Sequence, residues 1–274
     1  MNYMVCRKGV AAGLLMAFVA LPGTALAADD WEFVIGAGVG YGSKYEGSDE
    51  MEAMFLPVAA VTWRDTLYLS TEDGLGAVVY DDHDLTVNVS FNYDWGREES
   101  DSSDLRGLGD VDGAVTANLS LEYDIGPVTP FLELTRHLGG TNGMEASFGV
   151  ETMIPVSAFM GSESGSGGTG SDDGGDNGPA FLAGISSTWS DDKYMKNYFG
   201  VNATQSARSG LRQYTAKSGL KSVTAELGFL YPVNENWEVM TMIEYSRLIG
   251  DAADSPISKD DGVVFGGLTV SYKF

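Results

Sequence analysis

Histidine is the side chain best suited to proton transfer near neutral pH, and the chain holds only two, His83 and His137. His83 stands in Asp81-Asp82-His83-Asp84, where an Asp and His pair would activate water. The same four residues also make a solvated turn, because Asp favours turns through bonds to its own backbone. His137 follows Arg136 without a matching serine motif and reads as a polar side chain at an interface or in a lumen. The run Ser171-Asp172-Asp173-Gly174-Gly175-Asp176-Asn177-Gly178 offers oxygen ligands of the kind calcium takes. It lacks the spaced final Glu of a helical calcium loop and reads as a flexible acidic loop. Gly36, Gly38, Gly40 and Gly42 mimic a phosphate-cradling loop, but their period of two on a strand with no following helix fits closely approaching backbone instead. No catalytic residue, metal site or cofactor site is therefore assigned, and the chain reads as non-enzymatic.

The elements that carry these residues alternate apolar and polar positions, which marks strands between two environments. From Val111 to Asp124, Val111, Val115, Leu119, Leu121 and Tyr123 share one face, and Asp112, Thr116, Asn118 and Glu122 share the other. The pattern recurs along Leu85–Trp95 and Ser222–Tyr231. Such segments are longer than the 5 or 6 residues common in soluble sandwiches and end in aromatics. They fit tilted strands crossing a membrane with Tyr and Trp at its interfaces. The fold class expected is all-β, a transmembrane antiparallel up-and-down barrel of about twelve strands, monomeric, in contact with outer-membrane lipid and lipopolysaccharide. The strands fall near 31–45, 51–63, 66–80, 84–97, 111–125, 128–138, 143–157, 179–190, 195–205, 219–231, 236–249 and 262–274. The third is the weakest, since Glu72-Asp73-Gly74 is either a bulge or a turn between two short strands.

Parity from a periplasmic C-terminus places 158–178, 206–218 and 250–261 outside, and makes Trp63-Arg64-Asp65 and 231–236 short inner turns. His83 then lies on an apparent extracellular hairpin, and Arg97–Asp110 becomes the longest inner connection. Its residues Arg97, Leu105, Arg106, Leu108 and Asp110 would form a segment for docking a periplasmic partner. Lumen-facing carboxylates are expected at Asp94, Asp112, Glu122, Glu133, Glu151, Glu226, Glu238 and Glu244. They suit either a cation-preferring pore or a lumen filled by side chains and loops.

Export is indicated by Arg7 and Lys8 before an apolar run from Gly9 to Leu21 and the small-residue site Ala25-Leu26-Ala27. Residues 1–27 are expected to be a cleaved signal peptide and 28–274 the barrel. Cys6 would leave with the signal, so burial and backbone pairing must stabilise the mature chain without disulfides. Without Arg7 and Lys8, 14 basic and 39 acidic residues leave a net charge of −25. No basic stripe is available to replace counterions on phosphates, which excludes nucleic acid. The acidic excess points first to a soluble, non-sticky surface. The last segment places Val270, Tyr272 and Phe274 on one face, the pattern of a C-terminal signal read by the barrel-assembly machinery through strand addition.

Several motifs resemble the MipA/OmpV family of outer-membrane proteins. They are Tyr45-Glu46-Gly47-Ser48 followed by Pro57, Gly96-Arg97, Leu105-Arg106-Gly107-Leu108-Gly109-Asp110-Val111, Tyr198-Phe199-Gly200-Val201 with Ser206 and Ser209-Gly210-Leu211, and the stretch from Leu248 through Gly250-Asp251-Ala252-Ala253 to Ile257. The resemblance covers nearly all of the mature chain, and the insertion at 161–178 departs from it. It implies an outer-membrane location and, from the family's founding member, a scaffold between a lytic murein transglycosylase and a penicillin-binding protein. Other members are described as porin-like or adhesion-related, so a narrow porin or solute-binding channel stands as the alternative.

Overall fold

The computed structural model describes residues 30–159 and 178–274, so the segment expected to be a signal peptide and most of the acidic loop lie outside the described residues. Twelve antiparallel strands close on themselves in sequence order, β1 pairing with both β2 and β12. They are β1 (Trp31–Ser43), β2 (Met51–Trp63), β3 (Leu67–Ser70), β4 (Gly74–Asp82), β5 (Leu85–Asp94), β6 (Ala114–Tyr123), β7 (Thr129–His137), β8 (Met144–Pro155), β9 (Ala180–Ser190), β10 (Gly219–Pro232), β11 (Trp237–Leu248) and β12 (Gly262–Lys273). Closure gives every strand two neighbours, although β2 meets β3 only through Ala60–Trp63 and β5 meets β4 only as far as Phe91; it pairs the rest of the backbone, as a membrane requires.

Alternation decides which face meets lipid. On β1, Phe33, Ile35, Val39 and Tyr41 are exposed outward while Gly36, Gly38, Gly40 and Gly42 turn inward. The inward glycines are required by close approach. A Cβ on Gly38 would lie 2.2 Å from the Leu268 carbonyl, and one on Gly40 would lie 2.9 Å from the Phe265 ring. On β12 the outward face carries Val270, Tyr272 and Phe274, with the last two rings edge to face at 4.8 Å. Phe274 is 70% exposed, so its loss removes no core contact. Deleting Phe274 is therefore expected to lower the yield of folded barrel in the membrane at least fivefold while Lys273→Ala leaves it unchanged. Heat-modifiable mobility on detergent gels measures that yield, and equal yields for the two changes would remove the terminal signal.

The strand count agrees with the sequence expectation, but two of the expected strands differ in the structure. The segment 66–80 is two strands, β3 and β4, separated by a turn at Thr71–Asp73. Gly74 makes this turn with φ +71, where a Cβ would lie 2.1 Å from the Phe91 carbonyl. The segment 195–205 is no strand. It holds helices α1 (Asp192–Tyr198) and α2 (Ala203–Ser209), the first capped by Asp191 and the second by an Asn202/Gln205 capping box with Gly210 in the left-handed region. The two differences cancel in the total and invert the parity of every connection between them.

Connections 44–50, 95–113, 138–143, 191–218 and 249–261 thus lie at one end of the barrel. Connections 64–66, 83–84, 124–128 and 233–236, with the anchors of 156–179, lie at the other. Long and short connections are otherwise well separated, and the long ones build a structure of their own.

Candidate functional site: a cap over the barrel mouth

Four of the long connections pack into a cap with an apolar core. Helix α1 contributes Tyr194, Met195 and Tyr198, which with Phe199 meet Val111, Ala216, Leu248 and Ala252; Phe199 and Met195 are each 1% exposed. Beside them Tyr45, Leu105, Leu108, Val201 and Ile257 form a second buried cluster. Polar bonds cross-link the connections. Ser255 Oγ donates to the Phe199 carbonyl at 2.6 Å, Tyr45 OH to the Ile257 carbonyl at 3.3 Å, and Gln205 Nε2 to the Leu108 carbonyl at 2.7 Å. Glu99 accepts the Gly107 and Gly109 amides at 2.8 and 2.7 Å, and these bonds hold its carboxyl below the usual range. Between 95–113 and 191–218 a cleft of about 540 Å³ opens on the cap, with Arg97, Asp110 and Lys196 among its walls.

An ion cluster joins this cap to the strands beneath. A β-bulge between Leu220 and Ser222 leaves Lys221 out of register and turns it into the barrel, the re-aiming that bulges serve. Its Nζ lies 2.8 Å from Glu46 Oε1 in the β1–β2 connection and 2.8 Å from Glu145 Oε1 on β8. Glu145 also accepts from Ser190 Oγ on β9 at 3.0 Å and faces His137 Nε2 on β7 at 3.4 Å. The other imidazole nitrogen is 3.2 Å from Asp94 on β5. Tyr194 and Tyr198 of α1 stack at 4.5 Å and direct their hydroxyls to Glu46 and Asp94, each at 3.3 Å. Burial first, and the neighbouring carboxylates second, hold both phenols above their ordinary range. Arg97 completes the set, donating to the Tyr198 carbonyl at 2.7 Å. Burial lowers the guanidinium pKa.

The chemistry of the cluster is that of a clasp. His137 is 3% exposed with a carboxylate at each ring nitrogen, so it offers no free base to a substrate, and Ser190 Oγ bonds Glu145 rather than imidazole. Among the described residues no group of three His, Cys, Asp or Glu is placed to hold a metal. One cluster ties β5, β7, β8, β9 and β10 to the cap.

The positions given to the lumen carboxylates divide. Glu122, Glu133, Glu151, Glu226, Glu238 and Glu244 occupy inward-facing positions on β6, β7, β8, β10 and β11, and Glu226 stands opposite Glu244 in register. Asp94 is inward but belongs to the clasp. Asp112 lies beyond β6, exposed in the cap connection, so it does not line the lumen.

Residues 35–274 match the profile of the family described as MltA-interacting protein MipA. The chain belongs to that family. A 93-residue stretch is 33% identical to the MltA-interacting protein of Escherichia coli K12, covering 33% of this chain and 36% of the relative. A 95-residue stretch is 37% identical to the outer membrane protein OmpV of Vibrio cholerae, covering 34% and 35%. Each match thus spans about a third of the curated relative. Among solved structures the chain resembles OmpT, an outer membrane protein of Vibrio cholerae, at TM-score 0.38 and 11% identity over 89% of this chain and 97% of that one. It also resembles an outer membrane channel from Pseudomonas putida F1 at TM-score 0.40 and 11% identity over 93% and 97%.

As a MipA-family barrel the protein resides in the outer membrane of a Gram-negative cell. In such barrels short turns face the periplasm, which puts the cap outside. Three placements from the sequence are thereby corrected. Arg97, Leu105, Arg106, Leu108 and Asp110 lie in the cap, against 191–218, and not at the turn end. His83, at φ +47 beside Asp82, sits in a turn at the opposite end. The anchors of 156–179 share that end, where Val156 N–H bonds the Pro179 carbonyl at 2.8 Å. The cause is common to all three, namely the parity inverted between β3 and the 195–205 segment. Lys221, Glu145 and Glu46 were missed as a set, although Glu46 stood inside one of the family motifs.

Proposed function

We propose that this MipA-family protein is a capped, non-enzymatic outer-membrane barrel that serves as a docking platform for a murein transglycosylase at its periplasmic rim. The observation that carries the reading is the cap: two apolar clusters and a clasp of buried charges occupy the mouth through which a general porin would exchange solute. The name of the Escherichia coli relative, MltA-interacting protein, supplies the partner class. A penicillin-binding protein as second partner follows the same resemblance.

With Arg97–Asp110 in the cap, the surface available to a periplasmic enzyme is the turn end. It is acidic. Asp65, Asp81, Asp82, Asp84, Asp124 and Glu235 are exposed there, while Arg64 is tied to Asp30 at 3.0 Å and Lys273 to Glu32 at 2.7 Å. Complementary charge steers encounter and suppresses wrong partners, so the matching face of the enzyme is basic. Asp81, Asp82, Asp84 and Asp124 changed together to Asn are expected to weaken binding of a lytic transglycosylase to the immobilised barrel at least tenfold, whereas Arg106→Ala with Asp110→Ala in the cap leaves it unchanged. Loss with the cap variant and retention with the rim variant would overturn the assignment. The channel reading retains one specific support, the inward glutamates with Glu226 opposite Glu244; it requires the cap to open.

A further inference from the structure

The cap holds a buried cation without an anion. Arg97 is 5% exposed, and its backbone is fixed by bonds to Val111 in both directions, at 3.0 and 2.8 Å. Its side chain makes one hydrogen bond to the described residues, from Nη1 to the Tyr198 carbonyl at 2.7 Å. Nε is buried with no partner among them, and none of their carboxylates forms an ion pair with the guanidinium. Lys221, buried nearby, has two such carboxylates. An unpaired buried charge is costly and is ordinarily relieved by a partner.

The unused side of this guanidinium is the side that recognises anions. Nη1 lies on the Cδ side of the group, so Nε and Nη2 present two parallel N–H bonds on the opposite edge. Such an edge matches a planar carboxylate and binds it through both bonds at once. The guanidinium carbon is 5.7 Å from the centroid of the Tyr198 ring, and this contact together with the Nη1 bond holds the fork in place. A fork already ordered loses little freedom when it binds.

Arg97 lines the cleft of about 540 Å³ between 95–113 and 191–218. That volume is within the ~300–1,000 Å³ of small-molecule sites, whose walls are mostly apolar. These walls are polar instead. Asn202 Nδ2 and the side chains of Gln213 and Thr215 are exposed there without a bond to the described residues. Two opposite charges flank them. Lys196 is paired with Asp192 at 3.3 Å, and Asp110, from the same connection as Arg97, accepts the Glu99 amide at 2.7 Å. A carboxylate so placed favours a monoanion over a phosphate dianion, since like charges repel. A monoanionic head with a hydroxylated body is the chemistry of a sugar acid.

We propose that this cleft binds an acidic sugar, its carboxylate held by Nε and Nη2 of Arg97 and its hydroxyls by Asn202, Gln213 and Thr215. The site is at the opposite end from the periplasmic rim and does not depend on the platform reading. The test is titration calorimetry on the full-length barrel refolded in detergent, with D-glucuronate and D-galacturonate as probes and D-glucose and D-galactose as their neutral counterparts. At least one acid is expected to bind at least tenfold more tightly than its counterpart. Arg97→Lys keeps the charge but not the fork and should weaken that binding at least tenfold. Gln213→Trp fills the cleft from an exposed position and should weaken it as much, with hydrogen exchange in 191–218 unchanged, which separates loss of the site from loss of the cap. A trimer of the same acid binding at least tenfold more tightly than the monomer supports the site with a polysaccharide as the source, and equal affinity supports it with a free solute. No binding by either acid would overturn the site. So would affinity no greater than that of the neutral sugar or of inorganic phosphate, or undiminished binding in either variant.

Discussion

Replacing Lys221 with methionine is expected to destabilise the protein by about 3–5 kcal/mol, the usual cost of removing one partner from a buried ion pair. The ammonium is 6% exposed and is the cation closest to two carboxylates, Glu46 and Glu145. Without it Glu145, 15% exposed, keeps only the Ser190 hydroxyl and the His137 ring beside it. Glu46 is 41% exposed and recovers some hydration, so the lower part of the range is expected. Adding Glu145→Gln to Lys221→Met removes the stranded charge and should restore more than half of the loss. The denaturant midpoint of the refolded barrel measures both effects. A single variant within about 1 kcal/mol of wild type, the scale of an exposed pair, would mean that the clasp contributes little.

Phe199→Ala is expected to cost about 3–5 kcal/mol, as large aromatic truncations in packed cores do. The loss should be local. Phe199 is 1% exposed among Met195, Leu248 and Ala252, at the cap end of the strand ladder. The cap is therefore expected to open as a unit while the strands stay closed. Hydrogen exchange should rise at least a hundredfold in 191–218 and 249–261 and remain unchanged in β6–β8. Uniform acceleration across the strands would show instead that cap and barrel unfold together.

The wall was legible in the sequence because alternation is local: each strand of the barrel must present lipid and lumen in turn, and Val115–Tyr123 or Val223–Tyr231 does so without reference to any neighbour. The turn at Thr71–Asp73 was half legible, since Glu72-Asp73-Gly74 is turn chemistry placed where a strand ought to continue. The helices of 191–209 carry signals too, Asp191 before α1 and Asn202 three residues before Gln205, and these caps outweigh the strand expected at 195–205. The ion clasp was not legible. Lys221 and Glu145 are 76 residues apart, and Lys221 turns inward only through a bulge that no local pattern announces. The motifs resembling the family nevertheless point to this place. Tyr45, Glu46, Arg97, Leu105, Phe199, Ala252 and Ile257 come from five separate motifs and meet in the cap or its clasp.

The central claim, that this barrel is closed by its cap, is tested most directly by single-channel recording of the refolded protein in a planar bilayer. The wild-type chain should give a flat current at moderate voltage, and a variant with 192–216 replaced by a short Gly/Ser turn should give stable steps at least tenfold above any wild-type background. Stable, cation-preferring steps from the wild-type chain, reduced by Glu226→Gln with Glu244→Gln, would contradict the capped platform and establish the channel in its place.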